Sequence, residues 1–530
     1  IWQGGAWDDW RNDISGPGRL GKSGPGWLRL SGNNSFAGAT LTSGTLEFDG
    51  VNRLSRDIQV NGGLLRLNGT LQGTDLNLKS GSAHINGQQH GGQTLVGAGA
   101  LLSGDGMLAN TRVEGTIVPG SELRPLTVNG TYVQAAGSNL VARVGLNNAN
   151  VPALKTTGLA SIEGGTLRLT RGANGSVLGQ QYRVLQADGG VTGAFSTIDR
   201  QQFSPFLGFT QRLNANALMV DVGRGLPLAS VARTPNQRAT ATAADNLSLS
   251  QPLAQRLTSL FPAQAPEALD QLSGELHAST QGVMLENSRG IRDAALERAR
   301  STPRTDDPQA GTPRSGVWVQ LPHKNGRLDS DRTTSNVSYS STGLLIGIDH
   351  VFEQGTQAGM LLGSSRGDVK AGGRGKASID TYQTGLYLGH TWDAFGLYGG
   401  LSYANNQIQS KRQVGFPGVN EQLAAKYNSR TGQLFIESNY RLEQGALEWQ
   451  PYVQLAHIRS RNDGFNERGG ISALKGKSST NSVNLATGGV LFKLDMAKTQ
   501  TGPAWLSFNG GLAYTRASGD LTPAVDVAWQ

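Results

Sequence analysis

The chain has 530 residues, of which 74 are glycine, none is cysteine and 16% are charged. The absence of cysteine excludes disulfides, thiol catalysis and cysteine-ligated zinc sites. The net charge of +8 comes without a dense Lys/Arg cluster interleaved with aromatics, so we expect no nucleic-acid partner. Apolar residues make up 37% and alternate with polar ones, which indicates a folded, turn-rich β protein rather than collagen or a disordered chain.

A glycine-bounded pattern recurs in the first third of the chain. Its four clear copies begin at Gly26, Gly44, Gly63 and Gly81. Each copy carries two apolar residues spaced by two, such as Leu46 and Phe48, on one face of a strand. Because one such strand cannot bury its face alone, stacked coils with glycine corners predict a parallel β-helix over residues 1–96. A glycine-rich β-sandwich is the alternative.

Residues 97–222 continue with less regular strands, for example at Leu126–Val133 and Thr166–Arg171. A solenoid needs a cap where its core would otherwise be exposed, and this stretch follows the repeats directly. We therefore predict a β-helix cap over residues 97–222.

Residues 223–312 differ from the preceding strands in composition and in their apolar pattern. The part from Gly223 to Pro252 loses the alternation and gains Pro, Ala, Thr and Asn, which predicts a linker. From Pro266 to Arg300, Ala, Leu, Glu and Arg dominate, which predicts a helix at about 266–300. Because this helix is weakly amphipathic and contains three glycines, it suits the inside of a polar tube better than open solvent. A helix hairpin of an ordinary globular domain is the alternative.

Residues 313–530 contain long alternating strands. In Trp449 to Leu455, for example, apolar residues alternate with Gln450, Tyr452 and Gln454, as in a membrane barrel with a polar lumen. Short turns alternate with long polar connections, which include residues 366–378 and 411–424. We count nine strands with a tenth beginning near Pro523. Because an open sheet would leave an unpaired edge in lipid, we expect the last strands to be missing from this chain.

Four segments resemble parts of autotransporters, the type V secretion proteins, and one of them, residues 97–222, is similar to the autochaperone region. Residues 12–50, NDISGPGRLGKSGPGWLRLSGNNSFAGATLTSGTLEFDG, resemble the passenger-associated repeat, particularly of members with a subtilisin-like serine protease passenger. Residues 272–300, LSGELHASTQGVMLENSRGIRDAALERAR, resemble the segment that occupies the pore. Residues 316–320, GVWVQ, followed by residues 341–352, STGLLIGIDHVF, resemble the opening of the barrel domain.

This resemblance implies an all-β architecture with four parts. They are a right-handed parallel β-helix passenger at residues 1–96, an autochaperone region at 97–222, a linker and pore helix at 223–312, and a truncated 12-stranded antiparallel transmembrane β-barrel at 313–530. It also implies a location in the outer membrane of a Gram-negative bacterium, with the passenger at the cell surface.

The function implied is an outer-membrane translocator that exports its own N-terminal passenger, whose stem assists folding. The implied partners are outer-membrane lipid, the barrel-assembly machinery, periplasmic chaperones and the passenger itself, with no cofactor. The parent protein is expected to be a secreted subtilisin-like serine endopeptidase. Because the nucleophile motif Gly-Thr-Ser-Met-Ala is absent, its triad would lie upstream of residue 1 and this chain would hold no catalytic residue. A surface adhesin with a non-catalytic β-helical passenger is the alternative.

The candidate site residues are structural rather than catalytic. We expect the helix to be held by polar residues on its own inward face and on the inward barrel wall: Ser279, Gln281, Gly282, Arg289, Gln383, Tyr387, Gln433, Glu437, Gln450 and Gln454. The tripeptide Arg366-Gly367-Asp368 is placed at the base of a predicted outer loop, where it could contact a host-cell surface or serve only as a turn.

Two other patterns carry no chemistry. The sequence Gly363-Ser-Ser-Arg-Gly367 matches G-x-S-x-G, but no helix follows it, so a nucleophilic serine is not expected. Four histidines on the predicted barrel strands lack metal-ligand spacing: His323, His350, His390 and His457. We therefore expect no metal site.

Overall fold

The structure is a computed structural model. It describes residues 7–121, 123–145, 149–172, 177–301, 314–329, 335–352, 355–372, 374–495 and 506–530. These residues form two compact units, Ile1–Ser230 with Ala244–Ala265 and Val231–Ala243 with Pro266–Gln530. Strands dominate both units, which confirms the all-β class.

The first unit is a β-solenoid of about seven turns. Its larger sheet contains Trp7–Trp10, Ser15–Lys22, Trp27–Leu30, Ser35–Leu41, Thr45–Phe48, Ile58–Leu67, Leu76–Ile85, Gln93–Gly104, Asn110–Val113, Thr116–Pro119, Tyr132–Gln134, Asn139–Val144, Ala160–Ile162, Thr166–Arg171, Val191–Gly193 and Thr197–Asp199. The smaller sheet contains Val51–Arg53, Thr70–Gln72, Gln88–His90, Met107–Leu108, Leu126–Val128, Leu154–Thr156, Gln181–Ala187, Leu207–Asn214 and Ala217–Arg224.

The predicted repeat sets the stacking register of the coils. Leu46 lies beside Leu28 of one neighbouring coil and Leu65 of the other, in parallel ladders, and all three side chains are buried in one continuous core. The corner glycine Gly63 has φ 74°, and a Cβ there would lie 2.4 Å from the carbonyl oxygen of Gly44. The β-helix prediction is therefore confirmed, and the β-sandwich alternative is wrong.

An antiparallel hairpin ends the smaller sheet. Its strands Leu207–Asn214 and Ala217–Arg224 pair with each other, and the second pairs with Gln181–Ala187. Beyond it lie a 3₁₀ turn, Leu228–Val231, and two helices, α1 at Pro235–Asp245 and α2 at Pro252–Thr258.

The segment from Gly223 to Pro252, predicted as a linker, is not without regular structure, because it contains α1 and ends where α2 begins. A helix forms at α2 because Pro252 begins it and its apolar residues Leu253 and Leu257 are buried, while Ala254 joins the solenoid core. The weak alternation that suggested a linker instead reflects short helices with small residues.

The helix predicted at about 266–300 is two helices, α3 at Ala265–Leu272 and α4 at Glu275–Arg300. They are separated at Ser273 and Gly274, where Gly274 has φ 71°, a left-handed conformation that interrupts a right-handed helix. The correction follows from one of the three glycines noted in the sequence.

The second unit contains a large antiparallel sheet in which the long strands pair in chain order, while the short strands His323–Leu328 and Leu442–Gln444 each pair with the long strand that follows. Its described strands are Arg314–Gln320, His323–Leu328, Val337–Val351, Thr356–Ala371, Gly375–Trp392, Phe395–Phe416, Val419–Tyr440, Leu442–Gln444, Leu447–Asn462, Ser479–Asp495 and Ser507–Gly519. A small separate sheet consists of Phe465–Asn466, Leu474–Gly476 and Val527–Trp529.

For this sheet one sequence prediction is not confirmed and another is wrong. Among the described residues no ladder joins its first strand to its last, so a 12-stranded barrel is not confirmed. The long connections predicted at 366–378 and 411–424 are wrong, because the strands continue to Ala371 and to Phe416 with only short turns between partners. Polar and small residues there continue the strand pairing rather than forming loops.

Candidate functional site

Helix α4 lies along the inward face of the sheet. In its first half Leu276, Val283 and Met284 form an apolar cluster with inward wall residues such as Ile379 and Ile408. In its second half another cluster joins helix residues to the wall: Ile291, Ala295, Ala299, Leu345, Leu361 and Phe435. We call this arrangement the occupied lumen. These apolar contacts, the apolar seam, run along both halves of the helix, and polar clusters lie near its two ends.

The outer cluster is a buried polar network at the start of α4, formed by His277, Arg412, Tyr427 and Glu467. Arg412 donates two hydrogen bonds to the Glu467 carboxylate, Nε to Oε1 at 2.7 Å and Nη2 to Oε2 at 2.8 Å. His277 Nε2 lies 2.9 Å from Glu467 Oε1, and its Nδ1 lies 3.1 Å from the Tyr427 hydroxyl. The imidazole also stacks on Phe465, with ring centroids 3.8 Å apart. The charges of Arg412 and Glu467 are therefore paired away from water.

Glu467 is supplied by the connection between Leu447–Asn462 and Ser479–Asp495, which folds back over the helix. Its Oε2 also accepts the backbone N–H of Leu474 at 2.9 Å. Burial alone would raise the pKa of this carboxyl, but the hydrogen bonds from Arg412 and His277 outweigh burial and lower the pKa to about 2. The lowered pKa favours the ionised carboxylate, which ties the connection to the helix and the wall.

The inner cluster lies at the end of α4 and is formed by Arg298, Arg300, Asp349 and Glu437. Arg298 donates to both carboxylate oxygens of Asp349, at 2.5 and 3.1 Å. Arg300 donates to both oxygens of Glu437 at 2.6 Å. Both carboxylates are almost fully buried in the wall, whereas the two arginines remain partly exposed. Such bidentate, charge-assisted contacts fix direction as well as distance.

The two clusters define the direction of the helix. Asp349 lies two residues before the end of its strand, and Glu437 lies three residues before the end of Val419–Tyr440, whose partner Phe395–Phe416 begins after a two-residue turn. Outer-membrane barrels have short turns on the periplasmic side and longer connections outside. Short turns occur at both ends of this sheet, but the long connection between Asn462 and Ser479 lies at the outer cluster, which indicates that the outer cluster is at the external end and the inner cluster at the periplasmic end.

Five of the ten predicted lumen residues contact the helix or its clusters. Gln281 accepts from Asn481 at 2.9 Å and donates to Ser479. Gln433 donates to the carbonyl of Ser288 at 2.9 Å. The other three join the inner cluster: Glu437 pairs with Arg300, while Tyr387 donates to Asp349 and Gln454 donates to Glu437.

The other five are not brought to such contacts. Arg289 is exposed and pairs with Asp293 on its own helix, and Gln450 bonds Glu448 on its own strand. Gln383 lines a cavity of about 70 Å³ between α4 and the wall. Ser279 and Gly282 are partly buried, and the nearest atom to a Cβ on Gly282 would be 3.9 Å away in Pro523.

The sequence prediction missed most of the charged and polar residues that anchor the helix. These are His277, Arg298, Arg300, Asp349, Arg412 and Glu467. Strand alternation places Asp349 and Arg412 on the inward face, so a charged residue at an inward position was the available signal.

The predicted adhesion tripeptide is not in a loop. Arg366, Gly367 and Asp368 lie within the strand Thr356–Ala371 and are paired with neighbouring strands on both sides. Arg366 donates to the Asp380 carboxylate at 2.8 and 3.2 Å, and Gly367 faces inward. The placement at the base of an outer loop is therefore wrong.

Metal chemistry finds no support in the described ranges, where no group of three or more His, Cys, Asp or Glu residues could hold a metal ion. Each histidine predicted to be structural contacts a neighbouring side chain, as His457 does with Asn484 at 2.7 Å. Within the described helices, none combines the length and apolarity needed to span a membrane.

A protein-family model described as the autotransporter beta-domain matches residues 317–529. An extracellular serine protease of Serratia marcescens is 26% identical over 575 residues, covering 97% of this chain and 50% of the relative. The autotransporter lipoprotein NalP of Neisseria meningitidis serogroup B is 30% identical over 196 residues, covering 33% of this chain and 17% of NalP. The chain thus spans about half the length of the Serratia relative.

Two solved structures are also similar. The translocator domain of NalP matches with a TM-score of 0.36 and 16% identity, covering 45% of this chain and 91% of that domain. The beta domain of the Bordetella autotransporter BrkA matches with a TM-score of 0.30 and 18% identity, covering 41% of this chain and 95% of that domain.

Proposed function

We propose that this chain is an autotransporter, a translocator in the outer membrane that exposes its passenger at the cell surface, and that its passenger is the stem of a secreted subtilisin-like serine protease. The match of residues 317–529 to the autotransporter beta-domain supports the first part. The observation that supports an export role for this unit is the occupied lumen, in which one helix is held at its start by His277, bonded to the buried Arg412–Glu467 pair, and at its end by Arg298 and Arg300, paired with buried carboxylates. A chain that has passed through the pore would end in such a helix, because the first barrel strand is the next described element in the sequence.

The solenoid would supply direction to export. No nucleotide is consumed in this account, so folding of the stacked coils outside the cell would prevent the passenger from sliding back. Residues 97–222 would fold first as an autochaperone, because the antiparallel hairpin covers the open end of the smaller sheet there.

Deleting residues 97–222 tests this role of the stem. We expect the deleted passenger to reach the surface unfolded, so that added trypsin degrades it on intact cells while the wild-type solenoid resists. A matched control deletes one complete coil inside the repeats, residues 45–63, which keeps the cap. Normal trypsin resistance of the cap deletion would contradict the autochaperone assignment.

The protease assignment is supported by the relative named as an extracellular serine protease, which matches along nearly the whole chain. A fluorophosphonate probe labels an activated serine covalently, so we expect a labelled polypeptide at the cell surface or in the medium when the complete gene is expressed. An unlabelled passenger that still promotes adhesion to host cells would instead support the adhesin alternative.

Two partners outside the chain complete the proposal. The barrel would be inserted by the barrel-assembly machinery after periplasmic chaperones keep it soluble, because an unpaired strand edge is untenable in lipid. Depletion of the assembly machinery is expected to remove the folded, heat-modifiable form of the protein from outer membranes. An undiminished folded form would contradict this partner.

A further inference from the structure

A cluster of arginines lies on the outward face of the barrel, beyond its apolar band. Outward residues near the middle of neighbouring strands are apolar and at least half exposed, as are Leu401, Leu434 and Leu455. Along Leu447–Asn462 the outward positions that follow Leu455 are His457, Arg459 and Arg461. The change from apolar to cationic occurs on one face, within a few residues.

Two members of this cluster are direct cross-strand partners. Arg430 of Val419–Tyr440 pairs with Arg461 of Leu447–Asn462 in the antiparallel ladder. Their Cβ atoms are therefore about 5 Å apart, and like charges placed directly opposite destabilise a sheet. Arg459 lies two residues from Arg461 on the same face, and Lys426 lies beyond Arg430. We therefore expect an anion to bind at this concentration of positive charge.

The protein supplies little negative charge there. Asp463 lies 3.7 Å from Arg430, with both side chains a third or more exposed. On the other side Asp520 accepts the backbone N–H of Ser482, the residue opposite Arg459. Within the part of the chain that the structure describes, no ion pair involves Arg459 or Arg461. By contrast, Arg366 elsewhere on the outward face has its own carboxylate.

The position of the cluster across the membrane follows from the strand geometry. The outward aromatic residues Phe395 and Tyr403 bound the apolar stretch of one strand and are eight residues apart. At about 3.4 Å per residue and a tilt of about 40°, that stretch is ~20 Å tall, close to the ~25 Å apolar band of outer-membrane barrels. Arg459 and Tyr403 lie at the same level, because both pair with Gly432 of the strand between them. Arg430 lies one outward-facing position farther from the apolar stretch. The long connection between Asn462 and Ser479 begins just beyond Arg461 and marks the external end, so the arginines lie at the external headgroup level.

We propose that Arg430, Arg459 and Arg461 bind the phosphate groups of a phosphorylated glycolipid headgroup in the outer leaflet. The guanidinium fork matches phosphate oxygens bidentately, and a phosphate between Arg430 and Arg461 removes their repulsion. The acyl chains of the same lipid would lie against the apolar residues below, including Leu434 and Leu455. Basic clusters at the edge of a membrane-spanning region are suited to this kind of headgroup recognition.

The test uses the protein purified from outer membranes in mild detergent, with rough-type lipopolysaccharide as the probe. Binding is measured for the wild type, for Arg459→Gln with Arg461→Gln, and for Arg366→Gln as the matched control. The control removes an exposed outward cation that already has a carboxylate partner at 2.8 Å. Heat-modifiable migration on gels verifies that each variant is folded, and Arg459→Lys with Arg461→Lys keeps the charge without the fork.

We expect the double glutamine variant to lose at least about tenfold in affinity, since each basic residue near a membrane surface contributes appreciably to anionic lipid binding. The control is expected to change less than twofold, the double lysine variant to lie between, and dephosphorylated lipid A not to compete. Equal loss in the control, no loss in the double glutamine variant, or equal binding of phosphatidylglycerol or inorganic phosphate would each overturn the proposal.

Discussion

The buried pair of Arg412 and Glu467 is the contact on which the outer cluster depends, and Glu467→Gln tests it directly. The side chains are 4% and 1% exposed, so removing the carboxylate leaves a guanidinium charge in the interior. Removing one partner of a buried ion pair costs about 3–5 kcal/mol. Glutamine can still accept one hydrogen bond, so we expect about 3 kcal/mol, near the lower end of that range.

The cost should appear as local opening of the connection that carries Glu467. Hydrogen exchange at the backbone N–H of Leu474 reports it, because that group donates to Glu467 Oε2 at 2.9 Å. A loss of about 3 kcal/mol raises the exchange rate ~100-fold if exchange occurs through this opening. The matched control is Asp270→Asn, which breaks a partly exposed pair with Arg374 and should cost less than about 1 kcal/mol.

Replacing both partners tests whether the loss of protection comes from the charge that is left unpaired. Arg412→Met with Glu467→Leu removes both charges, and we expect most of the lost protection to return, because packed apolar side chains often replace a buried ion pair without loss. Leu474 exchange that is unchanged in Glu467→Gln, or that rises equally in the Asp270→Asn control, would refute the reasoning.

Three further outcomes are expected. The pKa of Glu467, about 2, lies below the ordinary glutamate value, so the ionised carboxylate stabilises the folded state fully above about pH 4.5, and this stabilisation is lost as the pH falls toward 2. Protection of the Leu474 N–H from exchange should therefore persist at pH 5 and decrease by pH 3. Gly63→Ala should destabilise the solenoid by at least about 2 kcal/mol in thermal unfolding, because the new Cβ lies 2.4 Å from a carbonyl oxygen; Gly73→Ala, with φ 66° and open space, should cost only about 1 kcal/mol. Glu437→Gln should lower the midpoint of barrel unfolding in detergent by several degrees, whereas Glu448→Gln, at a partly exposed pair, should leave it within about 2 °C.

The solenoid was predictable because its signal is local and repeated. Pairs such as Leu46 and Phe48 recur at nearly constant spacing, and each coil adds the same information about which face is buried. The two helices beyond it were missed because small residues in α1 and a single apolar turn in α2 resemble a linker when their tertiary contacts are unknown. The break at Gly274 shows that a glycine already visible in the sequence decided the helix boundary.

The candidate site was only partly predictable, for a physical reason. Strand alternation gives the side of the wall that a residue faces, and so it identified Gln433, Glu437 and Gln454. It does not give the rotation and height of α4 inside the sheet, which decide that Arg300 meets Glu437 while Arg289 meets no wall residue. Glu467 lies in a connection without periodicity, so no pattern marked it.

The position of the two clusters suggests what they contribute beyond stability. His277 and Arg298 are 21 residues apart on one helix, about 30 Å at 1.5 Å per residue. Buried ion pairs add little net stability but impose a large penalty when one partner is displaced. A shift of α4 by a single turn, about 5.4 Å, would break the contacts at both ends at once. The clusters therefore fix the axial position of the helix, while the apolar seam along it tolerates small displacements. An exporter needs such an arrangement at the end of transport, because the chain must stop at one defined position with its helix in the lumen.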